Sequence, residues 1–265
     1  MPMIAVDQTH LYYEVAGAGQ PVVLIHGLGS STRDWEAQVP ELAQAYQVIT
    51  LDLRGHGRSD KPAGPYQIPM FAADLAGLLG ALGVASAHVV GLSLGGCVAF
   101  QFTLDYPSMV RSLTLVNTAP GPGGAPEQFE REIARRVGIV QQMGMRAMGQ
   151  ALSPNLFPKP EQAALRATFV ERWAENDPQA YIAATRSMLN WDVTDHLSSI
   201  TCPVLVIGSD QDYSPVSAKE AYRQLMPNAR LAVIPNAHHA VPMERPEAFN
   251  PLLMQFLAEQ QSSTH

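Results

Sequence analysis

Cysteine is scarce: Cys97 and Cys202 are the only two in 265 residues, too few for a disulfide framework and without the paired spacing of a zinc site. A reducing compartment is the simpler expectation. Basic residues are outnumbered as well, 17 Lys and Arg against 24 Asp and Glu, so a net charge of −7 supplies no basic face for a phosphate backbone. That argues against a nucleic-acid partner. The opening residues MPMIAVDQTHLYYEV lack a basic segment followed by an apolar run, so nothing there directs export and the cytoplasm is the expected location. Residues 75–104 carry no Asp, Glu, Lys or Arg and are long enough to cross a bilayer, but Gly77, Gly80, Gly83, Ser86, His88, Gly91, Ser93, Gly95 and Gly96 interrupt them. They read as helix, buried strand, turn and helix, and no membrane partner is expected. What the chain does have is 46% hydrophobic residues and only 15% charged ones, enough for a sizeable core. The length fits one large domain with an insertion, or two smaller ones.

MIAV and HLYYEV flank Asp7-Gln8-Thr9 and read as a β-hairpin. Short apolar runs follow at 22–25, 48–51, 88–91, 113–116, 204–207 and 231–234, each too short for a helix and patterned as a strand buried on both faces. Helical patterns occupy 35–45, 70–82, 94–105, 217–225 and 246–259. This alternation specifies an α/β fold with a mostly parallel, eight-stranded sheet and helices on both faces. It breaks at Ala119-Pro-Gly-Pro-Gly-Gly-Ala-Pro126, beyond which Glu127 to Leu189 is helical. Phe129, Ile133, Val137 and Val140 share one helical face, Leu165, Phe169 and Trp173 another, and Asp177-Pro178 is a cap residue followed by Pro at the first helical position. The expected organisation is a core of residues 1–118 and 200–265 with an inserted helical cap, 119–199, whose lid starts at about Ala125.

Gly91-Leu92-Ser93-Leu94-Gly95-Gly96 stands where a buried strand meets a helix. A sharp turn there strains the backbone of its central residue and needs small neighbours, so glycines flank Ser93 and expose its hydroxyl at the helix start. The N–H of Leu94 is then placed to stabilise an oxyanion. His26-Gly27-Leu28-Gly29 ends the 22–25 strand, and its glycines let the chain turn so that the Leu28 N–H can serve as a second donor. His26 itself reads as a hydrogen-bonded scaffold residue. Adjacent His238 and His239 lack the common spacing of metal ligands and no carboxylate or thiol cluster joins them, so neither a metal nor a cofactor is expected.

Together with Asp52-Leu-Arg-Gly-His-Gly-Arg-Ser59, Cys202-Pro203-Val-Leu-Val-Ile207 and Glu244-Arg-Pro246, these residues resemble the successive landmarks of the α/β-hydrolase fold family over nearly the whole chain, least in the cap. The resemblance implies a Ser-Asp-His order for a catalytic triad. In similar hydrolases the acid follows the Cys-Pro start of its strand by ten positions, which from Cys202 selects Asp212 and leaves Asp210 as a turn residue. The base precedes the Glu of Glu-Arg-Pro by five, which selects His239; His238 then stands where the family usually has Gly. His239 would take the Ser93 proton, Asp212 would fix its tautomer, and Leu28 and Leu94 would hold the oxyanion. The Asp52 to Ser59 loop is expected to be structural. A serine at the elbow separates the chain from haloalkane dehalogenases and epoxide hydrolases, which are similar but carry Asp there.

Met143, Met145, Met148, Met188, Trp173, Trp191 and Phe157 gather in the cap, whereas its Arg and Glu residues look scattered. Trp173, Met143, Met188 and Trp191 are the expected pocket lining. Arg135-Arg136 could suit a charged substrate, but adjacent helical residues face different ways. The expected activity is hydrolysis of carboxylic esters of small to medium, mainly apolar substrates through an acyl-enzyme, by a monomer or homodimer. The resemblance also admits enol-lactonases, carbon–carbon bond hydrolases of ring-cleavage products and perhydrolases. A ligand receptor with little turnover is the alternative of a different class, which an aryl-ester assay separates.

Overall fold

The computed structural model describes residues 2–123 and 126–262; Gly124 and Ala125, two residues of the 119–126 linker and the second of them the expected start of the lid, lie outside the described residues. Strands β1 (Met3–Val6), β2 (Thr9–Ala16), β3 (Gln20–Ile25), β4 (Tyr46–Leu51), β5 (Ala87–Leu92), β6 (Val110–Val116), β7 (Val204–Ser209) and β8 (Ala229–Ile234) form one sheet in the order 1-2-4-3-5-6-7-8. The first two pairings, β1–β2 and β2–β4, are antiparallel and the rest parallel.

Alternation along the strands divides the core in two. Val23, Ile25, Val89, Leu113, Leu115, Val204 and Val206 enter the cluster that includes α2 (Ile68–Ala81) and α3 (Leu94–Asp105). Val22, Leu24, Val90, Leu205 and Ile207 pack with α9 (Pro246–Ser262), through Phe249, Leu253, Phe256 and Leu257. Helices on both faces explain why these runs are apolar at every position. β8 departs from that expectation: it closes the sheet edge, and Val233 is 40% exposed. The helix expected over 35–45 is also broken, into a 3-10 turn (Thr32–Trp35) capped by Ser31 and a short α1 (Val39–Leu42). Pro40 has no N–H to continue a helix from the preceding turn.

Between β6 and β7 the chain leaves the sheet for α4 (Pro126–Leu156), α5 (Ala163–Ala174) and α6 (Pro178–Arg186). Gly144, at φ +80°, breaks α4, and the Asp177 carboxylate caps α6 by accepting the Ala180 N–H at 2.8 Å. Phe169 and Trp173 are buried on α5, as their spacing predicts. Then α7 (Val216–Arg223) follows β7, and α8 (Val241–Glu244) lies between β8 and α9. Among the described residues no helix is long and apolar enough to cross a membrane. Because β3 to β8 run parallel, the loops that leave their C-terminal ends gather on one edge, where α/β sheets place their ligands.

Candidate active site

Ser93 follows β5 directly and takes φ +54° and ψ −116°, a conformation that ordinary residues avoid. Crowding explains the flanking glycines. A Cβ on Gly91 would stand 2.2 Å from Gly95 O, and one on Gly95 would stand 2.2 Å from Ile25 O. The Ser93 carbonyl accepts the N–H groups of Gly96 and Cys97 and the Thr118 hydroxyl, all at 2.8–3.1 Å, which locks the elbow onto the head of α3. Leu94, as the first residue of that helix, has no intrahelical acceptor for its N–H.

The loops after β7 and β8 bring the other two expected residues together. His239 Nδ1–H donates to Asp212 Oδ1 at 2.6 Å, and Asp212 Oδ2 accepts Lys219 Nζ at 2.6 Å and Ser214 Oγ at 3.1 Å. Burial alone would raise the Asp212 pKa, but His239 and then Lys219 outweigh it and hold the carboxyl well below the usual carboxylate range. Asp210 instead accepts the Ala237 N–H at 3.3 Å, as a turn residue does. His238, at the family's usual glycine position, turns its ring to Glu244 (Nδ1 to Oε1, 2.8 Å) while its own N–H donates to Oε2 of the same carboxylate. The two adjacent histidines therefore serve different carboxylates.

Sequence reasoning missed three supports of this arrangement. Asn117 ends β6 at φ +42°; its side chain donates to His239 O at 2.9 Å and accepts the Ser209 N–H at 2.9 Å, tying the loops of β7 and β8 together. Asparagine just past a buried strand, tolerant of positive φ, was the available signal. Lys219 is wholly buried, and only its place on the buried face of α7 with Tyr222 could have marked it. Tyr213 stacks on the His239 ring, with centroids 4.4 Å apart.

The opposite wall is the His26–Gly29 turn. His26 Nε2 accepts the Leu53 N–H at 3.0 Å, so Nδ1 carries the proton and donates to Gly27 O at 2.7 Å. It is a buried brace between the ends of β3 and β4, as expected. Asp34 accepts the Gly27 N–H at 3.2 Å and the Ser30 hydroxyl, while burial pushes its pKa up. The Asp52 to Ser59 loop is scaffold too: Asp52 accepts the N–H groups of Thr32 (2.7 Å) and Arg58 (2.8 Å). Asn176, just past α5, reaches Gly29 O at 2.8 Å, and a Cβ on Gly29 would stand 2.9 Å from the Trp173 ring.

Ser93 and His239 both line a cavity with an inner lobe of about 190 Å³ and an outer lobe of about 670 Å³. Leu28, Leu156, Phe169 and Trp173 line the inner lobe, Leu94 and Trp191 the outer, and Met188 both. Met143 does not belong: it is 68% exposed, on the solvent side of α4 beside the Gly144 break. The charged cap residues are not scattered either. Arg131 and Arg135 line the outer lobe, and Glu132 and Arg136 line both. Arg135 and Arg136 point in different directions from the helix, yet both are long enough to reach Glu132, at 2.7 Å each. A separate hollow of about 600 Å³ behind the Gly29 turn is lined by Arg33, Arg58 and Arg172, each paired with a glutamate, and it contains neither Ser93 nor His239. No group of three or more His, Cys, Asp or Glu side chains among the described residues is arranged to hold a metal.

Comparison with known proteins agrees with this architecture. A protein of Azorhizobium caulinodans named "Putative carbamate hydrolase RutD" is 33% identical over 98% of this chain and 99% of its own. The enol-lactonase from Burkholderia xenovorans LB400 superposes with a TM-score of 0.91 at 27% identity, over 97% of this chain and 100% of that one. A thermophilic esterase from Thermogutta terrifontis, solved with malate bound, gives 0.88 at 30% identity over 97% of each chain. The model of the alpha/beta hydrolase family matches residues 22–252, and with the strained elbow at the head of α3 and the eight-stranded sheet, the chain belongs to that family.

Proposed function

We propose that this protein is a serine hydrolase of carboxylic esters, working through an acyl-enzyme. The observation that carries the reading is the cavity shared by a strained Ser93 and a His239 whose Nδ1–H is committed to Asp212. That bond leaves Nε2 as the acceptor for the Ser93 proton. Attack of Oγ on the acyl carbon places negative charge on the carbonyl oxygen, to which the N–H groups of Leu28 and Leu94 are the donors. His239 then returns the proton to the leaving alkoxide, and water repeats the sequence to free the acid. The inner lobe suits a small apolar acyl group. A carbamate, the substrate class in the RutD relative's name, offers an acyl carbon to the same groups. A fluorophosphonate should label Ser93 once per chain, and Ser93→Ala should lose ester turnover; labelling elsewhere, or full activity in the variant, would reject the reading.

Arg136 favours a second reading, an ester or lactone that carries a carboxylate. One carboxylate, Glu132, meets two guanidinium groups, Arg135 through two hydrogen bonds (2.7 and 2.8 Å) and Arg136 through Nε (2.7 Å), so this cluster on the cavity wall keeps a net positive charge that a substrate carboxylate can meet. Comparing succinyl with butyryl p-nitrophenyl esters decides between the two: preference for the succinyl ester supports the second, preference for butyryl the first.

A further inference from the structure

The acid of the proposed triad has a partner that the reaction above does not use. Lys219 is 0% exposed, where lysine is almost never found unless paired, and its ammonium sits on the Asp212 oxygen that His239 leaves free. All three of its N–H donors have acceptors: Asp212 Oδ2 at 2.6 Å, Ser214 Oγ at 2.8 Å and Ser214 O at 3.0 Å. The sheet makes room for it. At Gly208 in β7 a Cβ would stand 2.7 Å from Lys219 Cδ, so the glycine leaves the channel through which the lysine stem passes. Burying an ammonium is costly, and a neutral side chain of the same length would fill this channel without that cost. What the charge adds is a field at Asp212.

We infer that Lys219 is a positioning residue that sets the basicity of His239. Its ammonium offsets part of the Asp212 charge, so the imidazolium is stabilised less than by a carboxylate alone. Less of the carboxylate's field then reaches Nε2, the atom that takes the Ser93 proton. The other groups facing the pair do not supply this field. The Tyr213 ring lies on His239, and its hydroxyl stays neutral, desolvation pushing its pKa up although about half of the residue is exposed. Tyr222 on α7 and Cys97 on α3 are held neutral in the same way. From α4, Glu132, Arg131, Arg135 and Arg136 line the outer lobe, whereas Lys219 alone among these cations touches Asp212.

The inference rests on the serine-hydrolase reading, and its test separates the two. The pH profile of kcat/KM on p-nitrophenyl acetate is measured for the wild type, Lys219→Met and Ser214→Ala. Lys219→Met should move the acidic limb upward by about half to one pH unit. Ser214→Ala removes hydrogen bonds but no charge, and should leave the limb in place. A folded Lys219→Met with a uniformly lower rate and an unmoved limb would make the lysine a structural brace and overturn the inference. Near-UV circular dichroism reports folding. Should Lys219→Met fail to fold, Gly208→Ala, whose methyl displaces the lysine stem, takes its place with the same upward shift expected and the same unmoved limb overturning the idea. A wild type that neither turns over the ester nor takes a fluorophosphonate at Ser93 removes the hydrolase reading, and the inference falls with it.

Discussion

The cavity has two walls of different character. On the core wall the groups behind Ser93 and the His239 ring are tied to one another: Asp212 is shared by His239, Lys219 and Ser214, and Asn117 holds the His239 carbonyl. On the cap wall, Trp173 Nε1 is buried without a hydrogen-bond partner, and Arg136 gives only Nε to Glu132. The difference teaches a division of the cavity: the core wall is a network fixed by its own hydrogen bonds, and the cap wall brings charge and aromatic surface to it.

The largest expected effect tests the core wall. His238 and His239 are neighbours, as are Asp210 and Asp212 within one turn, yet one member of each pair belongs to the proposed triad. Alanine at Asp212 or His239 should lower kcat by about 10³-fold or more. Alanine at Asp210 or His238 should cost far less, His238→Ala acting through the Glu244 contact on stability. If purified, folded His238→Ala is as inactive as His239→Ala, the assignment of the base is wrong.

Next in size is the charge on the cap wall. A carboxylate paired with Arg136 is worth about 1.5–3 kcal/mol as a charged hydrogen bond, or about 10- to 150-fold. Arg136→Leu should therefore reduce the kcat/KM ratio of succinyl to butyryl esters by that factor while barely changing the butyryl value. An unchanged ratio would return the cap wall to an apolar role.

A smaller effect concerns what lies beneath the core wall. His56 packs edge-on against His26 at 5.1 Å, and burial pushes its pKa down to about 3. In the unfolded chain it protonates below about 6.5, so as pH falls the unfolded state binds the extra proton. Its contribution to stability is therefore complete above about pH 6.5 and is lost as pH falls towards 3, at a slope of up to about 1.4 kcal/mol per unit. Urea midpoints between pH 7 and pH 4 should fall less steeply in His56→Gln than in the wild type. Parallel curves would mean that His56 titrates normally.

The walls also differ in how far the sequence exposes them. Gly91, Gly95, Ser93 and His26 are legible because backbone crowding leaves few alternatives at a strand end, and the strand periodicity locates those ends. Asp212 and His239 needed the family's offsets, because residue type alone does not separate them from Asp210 and His238; in the fold the two histidines part because Glu244 takes the His238 ring and Asp212, 27 residues away, takes that of His239. Lys219 was invisible because a lysine on a short helix normally faces solvent, and only the channel left by Gly208 turns it inward. In the cap, helix faces were readable, but Met143 faces solvent and Arg136 the cavity: composition suggests which residues could line a pocket, and the side of α4 on which each falls decides which do.

The smallest effect concerns the inner lobe. Leu28, Ile133, Leu156, Phe169 and Trp173 surround about 190 Å³ next to Ser93, so an acyl chain placed there leaves water one methylene at a time. Each buried methylene contributes up to about 0.8 kcal/mol, close to fourfold in kcat/KM. Because the lid holds the chain while the acyl carbon reacts, part of that gain should appear in kcat and not only in KM. The value should rise from acetyl towards butyryl or hexanoyl p-nitrophenyl esters and then fall once the lobe is full. Phe169→Leu enlarges the lobe and should move the maximum to a longer chain. A profile flat in acyl length, or a maximum that Phe169→Leu leaves in place, would mean that the acyl group occupies the outer lobe and that apolar volume beside Phe169 does not set the choice of substrate.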